Sequence, residues 1–208
     1  MYDSSTTIKD FLSATAARQP TPGGGSVSSL VAALAAALGE MVVNYSIGKK
    51  GLEAFQEELK PAQAELARAR DMLLQLMVED QLAYEALTAA KKTPPDSQER
   101  KEKMPAALLA CIRVPESIAA TGAAVLELCD RLVNFVNPWL LSDLAVCADL
   151  SMAAIRCATY SVRSNLSSLE DPDDRRAVEA RVGQILSHSL LLIQSAAPRI
   201  WERIRQGT

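Results

Sequence analysis

A stripe of apolar residues at seven-residue spacing runs through residues 52–91 and constrains the fold more than any other feature of the chain. Its two rows are Leu66, Leu73 and Leu87, with Ala69, Leu76 and Ala83 beside them. This spacing places the side chains on one face of a helix. A stripe this long predicts a single long helix packed in a bundle, with a disturbance at Pro61, which lacks a backbone donor.

The rest of the chain also favours helices. Of its 208 residues 49% are apolar, but only 4% are aromatic, whereas sheets favour aromatic and β-branched residues. Proline- and glycine-rich breaks stand near residues 20–26, 48–51, 93–97, 137–138 and 171–174, and Pro105 and Pro115 are predicted to restart helices. The prediction is an all-α bundle of about five to seven helices, forming one domain over residues 1–208.

Composition excludes several kinds of partner. The net charge of −3 provides no basic footprint for nucleic acid. The four cysteines form no C-x-x-C pair and are predicted to be buried free thiols in a reducing compartment. His188 is the single histidine, so we expect it to be structural rather than a zinc ligand. No secretory signal is visible, and residues 27–43 resemble a tightly packed core helix more than a membrane span; we expect a cytoplasmic protein.

Asp80 breaks the apolar stripe. It stands seven residues after Leu73 and seven before Leu87, so its carboxylate shares their inward face. A carboxylate there costs several kcal/mol or more unless it is paired or neutralised. One interpretation is a buried ion pair or a bond to a helix end. The other is a functional pocket, where desolvation raises the pKa of the acid and suits it to proton transfer.

The turn Pro22-Gly23-Gly24-Gly25-Ser26 leads into a predicted helix. Its glycines expose successive backbone N–H groups and permit close approach of a ligand, and a helix start favours negative charge. The turn is therefore either an anion or heterocycle site or a flexible connector.

Lys49 and Lys50 lie between two glycines at the other end of the same predicted helix. They complement the helix dipole or hold an anionic tail.

Asp143 is a second acid in an apolar row. That row contains Trp139, Val146, Leu150, Ala153 and Cys157, and a polar row beside it contains Ser142, Asp149, Arg156 and Arg163. Asp143 and the polar row beside it either line one wall of a cleft or form a salt-bridged or partner-facing surface, and the spacing slightly favours the surface.

Taken together, these motifs resemble the cyclodeaminase/cyclohydrolase family of folate enzymes. That family includes the C-terminal domain of formiminotransferase-cyclodeaminase and the stand-alone bacterial methenyltetrahydrofolate cyclohydrolases. The matching segments occur in order along nearly the whole chain: Phe11-Leu12, residues 20–27, Met41-Val42, Gly48-Lys49-Lys50, Asp80 with Ala83-Tyr84, Val114-Pro115, Asn137, residues 142–146, Val162-Arg163 and Asn165-Leu166.

The resemblance implies an all-helical homodimer with a folate cleft near the subunit interface. It implies Asp80 as the catalytic carboxylate, with a tetrahydrofolate derivative as substrate and no metal or prosthetic group. The implied substrate contacts are Pro22, Gly23, Gly24, Gly25, Ser26, Lys49, Lys50, Asn137, Ser142, Asp143 and Arg163. In this hypothesis Ser142 and Asp143 orient the pterin, while the basic residues hold the glutamate tail.

Two questions stay open. The reaction is either elimination of ammonia from 5-formiminotetrahydrofolate or hydrolysis of the 5,10-methenyl bridge. The sequence also departs from the family pattern at Val136, Ser161 and Ser164, which supports an alternative in which the protein is a folate-binding or structural helical dimer without catalysis.

Overall fold

In a computed structural model that describes residues 1–206, the chain is a bundle of six α-helices. These are α1 (Ile8–Ala16), α2 (Gly24–Asn44), α3 (Gln56–Lys92), α4 (Gln98–Leu132), α5 (Leu141–Leu166) and α6 (Pro172–Gln206). Single 3₁₀ turns, Glu53–Phe55 and Pro138–Leu140, precede α3 and α5. The all-α prediction is confirmed, and no strand occurs among these residues.

Side-chain caps explain where several helices begin. The Thr7 side chain accepts a hydrogen bond from the backbone N–H of Asp10, and the Ser97 side chain accepts one from Arg100. Each satisfies a donor that the first helical turn would leave free. The break predicted at residues 93–97 therefore coincides with the start of α4.

The predicted break within α4 is wrong. Pro105 and Pro115 both lie inside one continuous helix, and Pro61 lies inside α3. A proline in a helix removes one hydrogen bond and strains the preceding turn. Here α4 packs against α3, α5 and α6, and this packing maintains the helix, since tertiary contacts rather than propensity supply most helical stability.

The apolar stripe of α3 is confirmed as core. Leu66 and Leu73 are almost wholly buried, in a cluster that includes residues of α2, α4 and α5. Leu87 belongs to a second cluster with the middle of α4 and the start of α6. Between the two clusters the stripe reaches Asp80, whose side chain is half-buried.

Helix α2 packs mainly small residues against the bundle. Ala32, Ala35 and Ala36 are almost fully buried, whereas Leu34 is 54% exposed. Helices α2 and α4 are long and apolar enough to cross a membrane by composition, yet just over half of each apolar window is buried within the bundle. Small inward residues let α2 pack closely against α3 and α5.

The row that contains Asp143 is not core. Trp139 is 73% and Val146 48% exposed, and Cys157 is exposed, contrary to the prediction that all cysteines are buried. Seven-residue spacing identified the apolar face of the Asp143 row correctly but could not distinguish core from surface.

His188 is exposed as well, with Nε2 2.9 Å from a Glu127 carboxylate oxygen.

Candidate active site

Asp80 lies where the middle of α3 meets the start of α2. Its Oδ2 accepts a hydrogen bond of 2.7 Å from the Ser26 hydroxyl, and the Ser26 backbone N–H also donates to the carboxylate. Helix α2 has no side-chain cap from its own N-cap residue, Gly23. Asp80 therefore satisfies a first-turn donor of a different helix, where the helix dipole favours negative charge.

Gly25 is what allows this approach. A Cβ at position 25 would lie 1.9 Å from Asp80 Oδ1, an impossible contact, whereas a Cβ at Gly24 would meet nothing within 4 Å. The carboxylate thus occupies the space that any other residue at position 25 would fill. The glycine turn is consequently more than a flexible connector.

Burial raises the pKa of Asp80, and the two bonds from Ser26 lower it in part. None of the ion pairs among residues 1–206 includes Asp80. The ion-pair interpretation of Asp80 is therefore wrong, whereas the alternative of a bond to a helix end is present, since Asp80 accepts from Ser26 at the start of α2. The carboxylate also faces a cleft, and its catalytic role stays a prediction. A carboxyl group with a raised pKa can exchange protons closer to neutral pH than an ordinary aspartate.

The carboxylate faces an open cleft of about 320 Å³. Helix α3 forms one wall, and the glycine turn, the end of α5 and one residue of α4 complete it. The lining residues are Pro20, Thr21, Gly23, Gly24, Gly25, Asp80, Tyr84, Leu87, Lys91, Cys111, Ser161, Ser164 and Asn165.

The far wall of the cleft is fixed by Asn165. Its Nδ2 donates to the backbone carbonyls of Cys111, at 3.2 Å, and Ser161, at 3.0 Å. These two hydrogen bonds hold the end of α5 against α4.

Burial, followed by the charge of Asp80, raises the pKa of the Cys111 thiol. This cysteine therefore stays protonated and contributes a polarisable surface rather than a nucleophile.

Of the predicted site residues, Gly23, Gly24 and Gly25 line the cleft beside Asp80. Ser26 has no exposed surface, and its hydroxyl is directed at Asp80. Pro22 is buried behind the turn, after a cis peptide bond from Thr21.

A second group of predicted residues lies at the opposite end of α2. The 21 residues of α2 separate the two ends by about 30 Å. Lys49 and Lys50 follow the end of the helix in a loop whose flanking residues, Gly48 and Gly51, have φ of 70° and 89°. We call Lys49, Lys50, Asn137, Ser142 and Asp143 the distal cluster.

Asn137 holds the distal cluster together. Its backbone N–H donates to the Ser46 hydroxyl at 2.8 Å, and its Oδ1 accepts from the Trp139 N–H at 3.2 Å. This places the start of α5, with exposed Ser142 and half-buried Asp143, beside the end of α2. Arg163 joins neither group, because its guanidinium pairs with Glu179 at 2.6 Å.

The three departures from the family pattern separate in the structure. Ser161 and Ser164 line the cleft, whereas Val136 is fully buried near the distal cluster.

Sequence reasoning overlooked Lys91 and Cys111 as cleft residues. Lys91 could have been found from its spacing, since residues 80, 84, 87 and 91 follow one helical face.

An all-helical bundle with a half-buried carboxylate facing a cleft is typical of a protein that binds or acts on a small ligand. Residues 7–184 match the sequence profile of formiminotransferase-cyclodeaminase. The chain belongs to the formiminotransferase-cyclodeaminase family.

Individual relatives agree with this assignment. A methenyltetrahydrofolate cyclohydrolase from Methylorubrum extorquens is 30% identical, covering 96% of each chain. The mouse formimidoyltransferase-cyclodeaminase is 28% identical over 88% of this chain, which spans only 35% of the mouse protein. The crystal structure of formiminotetrahydrofolate cyclodeaminase from Thermotoga maritima has a TM-score of 0.82 and 28% identity, covering 97% of each chain.

Proposed function

We propose that this protein makes or opens the 5,10-methenyl bridge of tetrahydrofolate, with Asp80 as the group that transfers the proton. The observation that carries the proposal is the Asp80 carboxylate itself: half-buried, without an ion-pair partner among residues 1–206, and facing a cleft. Two relatives that match nearly the whole chain are a cyclohydrolase and a cyclodeaminase. The carboxylate serves both reactions.

In bridge opening, Asp80 accepts a proton from the water that attacks the methenyl carbon, giving a tetrahedral carbinolamine. The resulting carboxylic acid donates that proton to N5. The carbinolamine hydroxyl then loses its proton to the carboxylate as the C–N5 bond breaks and the formyl group forms on N10. Asp80 finally releases one proton to solvent, as the overall reaction requires.

In bridge formation from the formimino compound, N10 attacks the formimino carbon. The formimino group reacts in its protonated, amidinium form, so its nitrogen is a neutral amine once N10 has attacked. Asp80 takes the N10 proton and returns it to this amine, which leaves as ammonia while the 5,10-methenyl cation forms. Both sequences use one carboxyl group alternately as base and acid. The raised pKa of Asp80 makes its carboxylate a stronger base in the proton-accepting step and brings the group closer to neutral pH, where it can serve in both roles.

The test is Asp80→Asn, measured by the absorbance of the methenyl group with each substrate separately. Loss of the proton carrier should lower kcat by about 10²–10⁴ with little change in KM. Asp71→Asn is the matched control, since Asp71 is an exposed acid of the same helix. Full activity of Asp80→Asn contradicts the proposal. If the wild-type protein binds tetrahydrofolate but converts neither substrate, the result supports the alternative that the protein only binds folate.

The proposed active form is a homodimer that pairs through α2 and α5. An outer seam on α2, spaced at four and three residues, consists of Val27, Val31, Leu34, Leu38, Met41 and Tyr45. Tyr45 is 64% exposed, and on neighbouring α5 Tyr160 is 61% exposed. Leu34 and Tyr45 are the exposed members of the seam, and its other four residues are half-buried. Apolar residues at heptad-like spacing that the bundle does not fully bury favour another helix as their occupant.

A two-fold partner also explains why the predicted site residues form two groups. Helices α2 and α5 run antiparallel, with the Asp80 cleft at one end and the distal cluster at the other. Two copies related by a two-fold axis across α2 bring the distal cluster of one beside the cleft of the other, because an isologous interface exchanges opposite ends. In this proposal Ser142 and Asp143 orient the pterin of the partner's substrate.

Subunit complementation tests the shared site. Asp80→Asn and Asp143→Asn should each be impaired alone, but after unfolding and mixing they should recover roughly a quarter of wild-type activity, because half of the dimers are mixed and one of two sites is intact in each. If mixed dimers form without recovery of activity, the two groups of residues do not share a site.

A separate variant tests the interface. Leu34→Asp places a charge in the proposed α2 seam and should give monomers in sedimentation.

A further inference from the structure

One wall of the cleft carries an ordered set of chemically different side chains. Asp80, Tyr84, Leu87 and Lys91 follow one another on α3 at spacings of four, three and four residues, and all four line the cleft. Eleven residues of helix separate the first from the last by about 16 Å. The carboxylate is half-buried and Lys91 is exposed, so the wall leads from an acid at depth to a cation at the mouth.

Lys91 is the only cation among the residues that line the cleft. Its ammonium takes part in none of the ion pairs within residues 1–206. Its charge lowers the pKa of the Cys111 thiol, while that of Asp80 raises it. Both charged groups therefore lie close enough to Cys111 to affect it, and all three residues line the same cleft.

Hydrogen bonds from α4 hold the backbone at the end of α3, where Lys91 lies. Arg100 of α4 donates to the backbone carbonyls of Lys91, at 3.3 Å, and Thr93, at 3.1 Å. These bonds satisfy two acceptors that a helix end would otherwise leave to solvent. The backbone of Lys91 is thus held in place, and only its side chain is free to follow a ligand.

The order of groups along the wall matches the order of groups along a folate. Folates carry the reacting one-carbon unit at one end, a flat aminobenzoyl ring in the middle and glutamate carboxylates at the other end. Building on the function proposed above, we infer that Lys91 binds the glutamate carboxylate of the substrate, with the aminobenzoyl ring packed on Tyr84 and Leu87. Lys91 is then a specificity residue that selects substrates by their anionic end.

The assignment separates Lys91 from the other basic candidates. Arg163 is paired with Glu179, and Lys49 and Lys50 lie at the other end of α2 within the same chain. Any contribution of these two lysines needs a second subunit, whereas the contribution of Lys91 does not.

The experiment compares Lys91→Met with Lys92→Met, its exposed neighbour outside the cleft. Each is assayed on 5,10-methenyltetrahydrofolate and on 5,10-methenyltetrahydropteroate, which lacks the glutamate. Lys91→Met should raise KM for the folate about two- to fivefold, leave kcat unchanged and leave the pteroate unaffected. Lys91→Arg should restore the wild-type KM, and added salt should weaken folate binding in wild type but not in Lys91→Met.

An unchanged KM for the folate in Lys91→Met overturns the assignment, and so does an equal loss on the pteroate, which would indicate a structural role. If wild type turns over neither compound, the proposed reaction has failed. The affinities of wild type and Lys91→Met for the folate and for the pteroate are then measured by fluorescence titration. Equal affinity of the two proteins for the folate overturns the inference about Lys91, independently of the proposed reaction.

Discussion

The two ends of α2 contain similar residue types but use them differently. At the first end, glycine provides space, and a half-buried carboxylate from α3 occupies it. At the second end, glycines with positive φ provide backbone turns, and the polar groups of Ser46 and Asn137 are consumed by local hydrogen bonds. An incompletely compensated charge is therefore the feature that distinguishes the proposed reactive end from a conventional helix terminus.

The strongest test of this contrast is alanine at Gly25. The new Cβ would displace the Asp80 carboxylate, and a misplacement of this kind can cost about 10²-fold in kcat. Gly24→Ala is the matched control, because its Cβ meets nothing within 4 Å. Equal activity of the two variants in the methenyl assay would show that the position of Asp80 does not matter.

Removing the Ser26 hydroxyl should have a smaller effect. That hydroxyl stabilises the ionised form of Asp80 and lowers its pKa, so Ser26→Ala should raise the pKa further and move the acid limb of the kcat/KM profile to higher pH. We expect kcat to fall about tenfold, since a bond to a charged group contributes roughly 1.5 kcal/mol. A lower kcat with an unmoved profile would mean that Ser26 acts only on local structure.

At the other end of the helix the expected change is in stability. Gly48 has a φ of 70°, and Gly48→Ala should lower the free energy of unfolding by about 1–2 kcal/mol, because a side chain is strained in the left-handed region. Turnover per folded molecule should not change. Thermal melting and the methenyl assay together check this, and a selective loss of kcat would place the loop in the catalytic machinery.

The smallest expected effect is a gain in stability. Because the folded-state pKa of Asp80 is raised, the folded chain binds this proton more tightly than the unfolded chain, and wild-type stability falls as pH rises through the raised pKa. Asp80→Asn should therefore be more stable than wild type at pH 7, which thermal melting at several pH values measures. The difference should vanish below the unfolded pKa; a constant difference across pH would contradict it.

Sequence alone predicted the fold class and the position of Asp80, because the stripe through Leu73 and Leu87 is long enough to define a face. It failed at Pro105 and Pro115, where packing on three other helices outweighs the local cost of proline.

The cleft could be predicted only in part. Spacing revealed that Trp139 and Val146 share an apolar face, but the same pattern describes a core and an exposed surface, and here both are exposed. Likewise, nothing in the sequence shows that Ser26 is turned toward Asp80 while Arg163 is paired with Glu179. Such choices depend on how helices distant in sequence are juxtaposed.

The missing Cβ at Gly25 makes positions 25 and 80 a coupled pair in evolution. While a carboxylate occupies that space, no larger residue can enter position 25. A lineage that discards the acid is released from this restriction, and alanine or serine can then accumulate opposite the vacated site. Among homologues, the combination of a filled position 25 with a shortened or apolar position 80 should therefore mark proteins that have abandoned catalysis while keeping the bundle.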